Sequence, residues 1–321
     1  MHMADALLSP AVGGTLWAAS AAVVARSSRR LAGGTEESLA PLMGMTGAFV
    51  FAAQMVNFAI PGTGSSGHLG GGLLLALLLG PHEAVVVMTS ILLVQALLFA
   101  DGGLLALGAN VWNLGVVPAF VAVPLVARPL MRRGREALGL VLGSVVALQL
   151  GALGVVAETT VSGVAALPSG PFLAAMLPIH LAIGLVEGLV TLAVWRVLRD
   201  RRPEVLPVRV PAARPGGAVL ASLLAAAVVT GGLLSWLASK KPDGLEWSVA
   251  RAASTHPAAE GRLQALLGRA QRKLASFPDY SPRGSEPTRP GTSAAGLLGT
   301  AATLGLVAGA AVLLRRFGPR G

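Results

Sequence analysis

Long runs of residues without a charge constrain this chain more than any other feature of its sequence. Uncharged or nearly uncharged stretches occupy about 6–25, 38–60, 67–80, 83–100, 104–127, 137–157, 171–198, 216–238 and 294–314. A helix rises about 1.5 Å per residue, so about 20 apolar residues carry it across the roughly 30 Å of hydrocarbon in a bilayer. Most of the stretches reach that length. The fold class expected is therefore an all-α integral membrane protein with about nine transmembrane helices. The stretch 67–80 is the weak member, because it is short and opens with Gly67, Gly70, Gly71 and Gly72. A half-helix or a re-entrant segment lining a cavity would also suit it; it is counted here as a crossing.

Hydrophobic residues make up 54% of the 321, charged residues only 12%, and the mean hydropathy is +0.70, well beyond a soluble domain of this size. Forty-one glycines suit helices whose backbones approach closely in lipid. The chain has no cysteine, which excludes disulfides, thiolate metal sites and a cysteine nucleophile. The net charge of +10 would suggest a nucleic-acid surface only if it formed a contiguous patch, and along the chain it does not.

The basic residues instead orient the chain, since cytoplasmic loops concentrate Lys and Arg. With nine crossings and the N-terminus outside, four groups fall on the inner side: Arg26/Arg29/Arg30, Arg128/Arg132/Arg133/Arg135, the run from Arg196 to Arg214, and Arg315/Arg316/Arg320. The short outer loops then carry none. The remaining basic residues lie in an outer loop of about 55 residues at 239–293, near the length at which the rule stops applying. No Lys or Arg precedes the first apolar run, and a basic cluster follows it. That order is expected of an uncleaved first helix rather than a signal peptide.

Residues 199–215, with Pro203, Pro207, Pro211 and Pro215 among charges, read as a cytoplasmic linker. They divide the chain into a seven-helix module, 1–205, and a two-helix module with a polar outer loop, 206–321. Within that loop 256–275 is helix-permissive and amphipathic, whereas 278–292 is rich in Pro, Gly, Ser and Thr and is expected to be poorly ordered.

Five histidines carry the available donor chemistry. His82, after Pro81, reads as a solvated turn residue, and His256 as a solvated loop residue. His180 lies at membrane depth, where an ionisable side chain has a functional prior, although a hydrogen bond between helices explains it as well. His2 and His68 fall at the outer end of the bundle. Position 2 offers three nitrogens in a row: the Met1 α-amine, the His2 amide and the His2 imidazole. Amine and amide close a five-membered ring on a metal, and amide and Nδ1 a six-membered one. His68, in PGTGSSGHLGGG, is placed to supply a fourth nitrogen. Four nitrogens in a plane suit Ni(II) or Cu(II) better than tetrahedral Zn(II) or oxygen-seeking Mg(II). The bland alternative is a solvated terminal histidine and an unrelated turn histidine.

The segments MHMADALLSP at the start, GTGSSGHLGGGLLLALLLGP at 62–81 and LLVQALLFADGGLLALGANVWNLGV at 92–116 resemble the CbiM/NikM family, the substrate-specific components of energy-coupling-factor transporters for cobalt and nickel. The resemblance runs through roughly residues 1–200. PDGLEWS at 242–248 resembles the small accessory component of these systems, fused here in the NikMN manner. The resemblance implies an N-terminus threaded back into the outer face of the bundle, with Met1, His2 and His68 as metal ligands. Gln95, Asp101 and Asn110 match polar family positions that would orient those ligands, or simply serve helix packing. Ala6 and Leu7 depart from the family opening, and the second module shows no metal-ligand cluster, which suggests a role in assembly or metal entry.

The function expected is the substrate-binding component of a Ni(II) or Co(II) importer in the cell inner (plasma) membrane. Metal is substrate, not cofactor, and the sequence leaves nickel against cobalt open with a weak tilt to nickel. No Walker A pattern is present. By resemblance, a transmembrane coupling (T) subunit and cytoplasmic ATPase subunits supply the energy. A proton-coupled carrier using Glu187 and His180, two turns apart on one helix, is the alternative; an intramembrane enzyme lacks any recognisable catalytic motif.

Overall fold

The computed structural model describes residues 2–32, 39–165, 167–201, 217–253, 261–284, 286 and 288–317; Met1, His256 and most of the 199–215 linker lie outside the described residues. Helices dominate: α1 Pro10–Ala32, α2 Leu39–Gln54, α3 Gly72–Leu78, α4 Pro81–Phe99 and α5 Leu107–Arg132. They are followed by α6 Glu136–Ser162, α7 Ser169–Arg201 and α8 Gly217–Gly232. The outer loop contributes α9 Gly244–Ala252 and α10 Arg262–Leu274, and α11 Arg289–Phe317 closes the chain. Two residue pairs, Phe58–Ala59 and Ser66–Gly67, form a small antiparallel ladder before α3.

Six helical segments are long and apolar enough to cross a membrane, with mean hydropathies from 1.8 to 2.2: Pro81–Phe99, Leu107–Arg132, Glu136–Ser162, Ser169–Asp200, Leu220–Leu237 and Arg289–Leu314. The chain is an all-α membrane protein. α1 is long but more polar, and α2 is a shorter apolar helix.

The stretch 67–80 does not form a full-length transmembrane helix; it takes the half-helix form that its glycines also allow. Its helical part, α3, has seven residues, a rise of about 10 Å. Gly71 precedes it with φ +75°, a left-handed conformation that side-chain-bearing residues avoid and that turns the extended chain at 68–71 into the helix. Helix and extended piece together still carry the chain from one end of the bundle to the other. His68 lies beside His2, while His82, just past α3, binds Ser27 Oγ at 3.0 Å and Arg30 Nη1 at 3.3 Å near the far end of α1. His82 is thus a half-buried corner residue, tied to α1 and with Phe120 edge-on to its ring.

At that same far end Arg199 pairs with Glu136 at 2.7 Å, joining the end of α7 to the start of α6. Arg26, Arg29, Arg30, Arg128 to Arg135 and Arg196 to Arg199 therefore gather away from His2. Small residues set the packing, as expected where lipid gives helices no hydrophobic reason to associate. Gly184 and Gly188 of α7 lie against the backbone of α6 at Val145 and Val141. In the second module α8 and α11 meet at Gly231 and Gly296, and both pack against α2, so the two modules share one interface rather than standing apart.

Candidate metal centre

The first residues of the chain run back into the bundle, held by main-chain and side-chain bonds that the sequence does not announce. Asn110 grips Met3 from both sides: its Oδ1 accepts the Met3 N–H at 2.8 Å and its Nδ2 donates to the Met3 carbonyl at 3.2 Å. The Gly103 N–H donates to the same carbonyl at 2.8 Å. Asp5 Oδ1 accepts the Ala106 N–H at 3.0 Å, and Gln264 of α10 donates to the Leu8 carbonyl at 3.0 Å. Met3 and Leu8 are fully buried. A side chain at Gly103 would run into Asp5, which explains the glycine in the ADGG segment at 100–103.

This anchoring sets the His2 and His68 rings face to face, with centroids 4.9 Å apart and planes 6° from parallel. The Nδ1–H of His2 donates to Asp101 Oδ1 at 3.1 Å, and its buried Nε2 has no hydrogen-bond partner. Chelation through Nδ1, as the sequence suggested, therefore requires the His2 ring to turn about its Cβ–Cγ bond and exchange Asp101 for the metal. His68 Nδ1 lies 3.0 Å from the Leu69 carbonyl. A carbonyl only accepts, so the hydrogen sits on Nδ1 and the lone pair on Nε2.

Asp101 is itself held by the second module. Tyr280 donates its hydroxyl to Asp101 Oδ2 at 2.6 Å and stacks on Phe99 with centroids 4.8 Å apart. Burial alone would push the Asp101 carboxyl up, but the His2 imidazole and the Tyr280 hydroxyl together hold it well below the usual carboxylate range. Burial and the Asp101 charge push Tyr280 the other way, so it stays a donor. Tyr280 follows Asp279, and both have positive φ, as does Ala100 beside Asp101, so non-glycine residues in a strained conformation flank both ends of the Tyr280–Asp101 bond. Gln271 of α10 fastens the same corner by donating to the Ala96 and Gly102 carbonyls at 3.0 and 2.6 Å. The expectation that 278–292 is poorly ordered fails for its first residues, because Tyr280 has a buried partner and aromatic packing.

The PDGLE segment sits on the other wall. Asp243 caps α9 by accepting the Glu246 N–H at 2.7 Å, while Glu246 Oε2 accepts the Asp243 N–H at 3.1 Å, a reciprocal capping box. The Pro242 carbonyl accepts the Ser66 N–H at 2.8 Å, two residues before His68. Burial pushes the Asp243 carboxyl up, but neighbouring charge, His68 included, and the Glu246 amide outweigh it and leave it lowered. His2, His68, Asp101, Asp243 and Tyr280 line a common polar cleft of about 470 Å³. The second module thus places a carboxylate beside the histidines, although no metal-ligand cluster was visible in its sequence.

Below His68 the backbone is fixed from the bundle. Glu187, 2% exposed on α7, accepts the N–H groups of Gly70 and Gly71 at 2.6 and 3.2 Å. Gln54 donates to the Gly70 carbonyl at 2.7 Å, and Gln95 donates to Gln54 at 2.8 Å. Each of the three polar positions singled out in the sequence therefore bears on the candidate ligands: Asp101 on His2, Asn110 on the segment carrying it, and Gln95 through Gln54 on the loop of His68. His180 does not make the cross-helix bond considered for it; its Nδ1–H donates to the Met176 carbonyl one turn back at 2.8 Å. Among the described residues no three His, Asp or Glu side chains converge on one point, so a metal here would draw donors from the N-terminal main chain as well. Met1 lies outside the described residues.

Residues 2–205 match the CbiM family, described as a cobalt uptake substrate-specific transmembrane region, and residues 217–316 match the PDGLE domain. A NikMN relative in Archaeoglobus fulgidus is 35% identical over 312 residues, covering 95% of this chain and 96% of that one. The fused nickel transport protein NikMN of Rhodobacter capsulatus is 32% identical over 350 residues, covering 99% of this chain and all of the other. A crystal structure described as a truncated transition metal transporter, 29% identical, covers 62% of this chain and 99% of its own, with a TM-score of 0.55.

Proposed function

Since this chain belongs to the CbiM family of cobalt and nickel transport proteins, with a PDGLE domain fused behind it, we propose that it is the substrate-binding component of an energy-coupling-factor importer for Ni(II) or Co(II). The ion is held by the Met1 amine, the His2 amide and imidazole, and the His68 imidazole. Residues 1–205 form the metal-binding module, and 206–321 a two-helix module whose outer loop completes the wall of the site. The observation that carries this reading is the stacking of His2 on His68 inside a polar cleft, by a terminal segment that Asn110, Asp5 and Gln264 hold in place.

The donor set argues for the cargo. Imidazole, amine and deprotonated amide form a strong in-plane nitrogen field, which suits Ni(II) and accepts Co(II). Deprotonating the amide releases a proton, so metal affinity rises with pH. With the metal on Nδ1, the hydrogen of His2 sits on Nε2, and Asp101 is the carboxylate available to accept it and orient the turned ring, as carboxylates do for many metal-bound histidines. The gathering of arginines at the end opposite His2 supports an N-terminus outside and a cytoplasmic contact face in the cell inner (plasma) membrane. There a transmembrane coupling subunit and ATPase subunits dock and drive the conformational change that releases the ion.

The carrier alternative loses its main support, because both oxygens of Glu187 are engaged by backbone amides of the His68 loop. Metal uptake in cells whose partner ATPase is inactivated, with the membrane potential intact, tests the choice. Uptake is expected to stop; uptake that continues at the original rate would identify a carrier.

A further inference from the structure

We propose that His180 and His68 form a second, inner station for the transported ion, which it occupies after leaving the N-terminal chelate. The proposal rests on the substrate-binding reading above and adds the next step of the path. His180 is 1% exposed on α7, and the hydrogen bond to the Met176 carbonyl fixes its hydrogen on Nδ1. Nε2 therefore carries a lone pair, and it is buried without a hydrogen-bond partner. Leaving a buried polar atom without a partner is costly, which favours a ligand at this nitrogen.

The space beside it has room for one ion and two imidazoles in its wall. A void of about 10 Å³, about the room for one water or one metal ion, is bordered by the two imidazoles of His180 and His68, by glycines including Gly244, and by the apolar side chains of Leu114, Leu148 and Ile183. His68 borders both this void and the outer cleft, so one imidazole is common to the two. An ion leaving the terminal amine and His2 keeps a ligand while it gains another. Two neutral imidazoles select a borderline divalent transition metal over Mg(II) or Ca(II) and hold it more weakly than a four-nitrogen chelate, as a transfer station requires. The PDGLE helix closes the station from outside. A Cβ on Gly244 would come 2.6 Å from Ile179 Cγ2 and 3.4 Å from His180 Cε1, so only glycine lets α9 seat over this point.

The test uses the full-length chain in detergent with Co(II) as the probe. In His2→Ala the N-terminal chelate is lost and His68 remains. We expect a residual Co(II) site, at least tenfold weaker than the wild-type site, that disappears in His2→Ala/His180→Gln. Identical Co(II) binding with and without His180→Gln in that background overturns the inner station. Because the chain has no cysteine, His180→Cys in the His2→Ala background gives a readout that does not depend on loss of binding. A thiolate-to-Co(II) charge-transfer band appears if residue 180 reaches the ion, and a folded variant without that band also overturns the proposal. If His2→Ala leaves the wild-type affinity unchanged, the N-terminal chelate fails instead, and the His180 variants still decide the inner station separately.

Discussion

Replacing Asn110 with alanine removes the clamp on Met3 without touching any proposed ligand. The substitution leaves the Met3 N–H buried with no acceptor, while the Met3 carbonyl keeps its bond from Gly103. Stranding one buried donor costs about 1–3 kcal/mol, and the segment retains the bonds at Asp5 and Leu8. With about 2 kcal/mol taken from the docked state and tenfold in affinity for each 1.4 kcal/mol, apparent Ni(II) affinity should fall by up to about 30-fold. The loss is smaller if docking has energy in reserve. Competition against a chelating dye measures the affinity, and digestion by an aminopeptidase reports how often the terminus leaves its groove. Faster trimming together with weaker binding is the expected pair. Unchanged affinity in a protein that melts like the wild type would refute the argument that the clamp presents His2.

Gly103→Val places a side chain against Asp5 and should weaken Ni(II) binding at least as much as Asn110→Ala, measured in the same competition. Tyr280→Phe leaves Asp101 Oδ2 without its donor, and loss of such an outer partner typically costs 10-fold or more in metal affinity; calorimetric titration of that variant reads it directly. One residue added before Met1 removes the amine from chelating position and should abolish tight binding. Ni(II) affinity should rise with pH by at least one proton per metal, because the protonated amide cannot bind; a pH-independent affinity would exclude amide coordination.

The membrane class and the two candidate histidines were legible because both depend on local sequence: uncharged runs of helical length, and a donor-rich terminus with one glycine-flanked histidine. The character of 67–80 was legible only as an alternative, a half-helix, beside the full crossing helix. Its hydropathy is that of a span, but the glycines at 67 and 70–72 favour an extended entry, and only Glu187 and Gln54, far away in sequence, pin it there. Tyr280, Gln264 and Gln271 were invisible for the same reason, since their partners lie in the first hundred or so residues of the chain. The aspartate and glutamate of PDGLE do carry a local signal, the spacing of a helix capping box, and could have been placed at a helix start from sequence alone. The ring orientation of His2 depends on Asp101 and is a tertiary fact throughout.

The central claim is that the terminus and two histidines hold the transported ion. The metal content and affinity of the purified chain with an authentic Met1, beside His2→Ala and His68→Ala, test it most directly. The account requires about one Ni(II) or Co(II) per wild-type chain and loss of that tight site in both variants. Equal tight binding in all three proteins would contradict it.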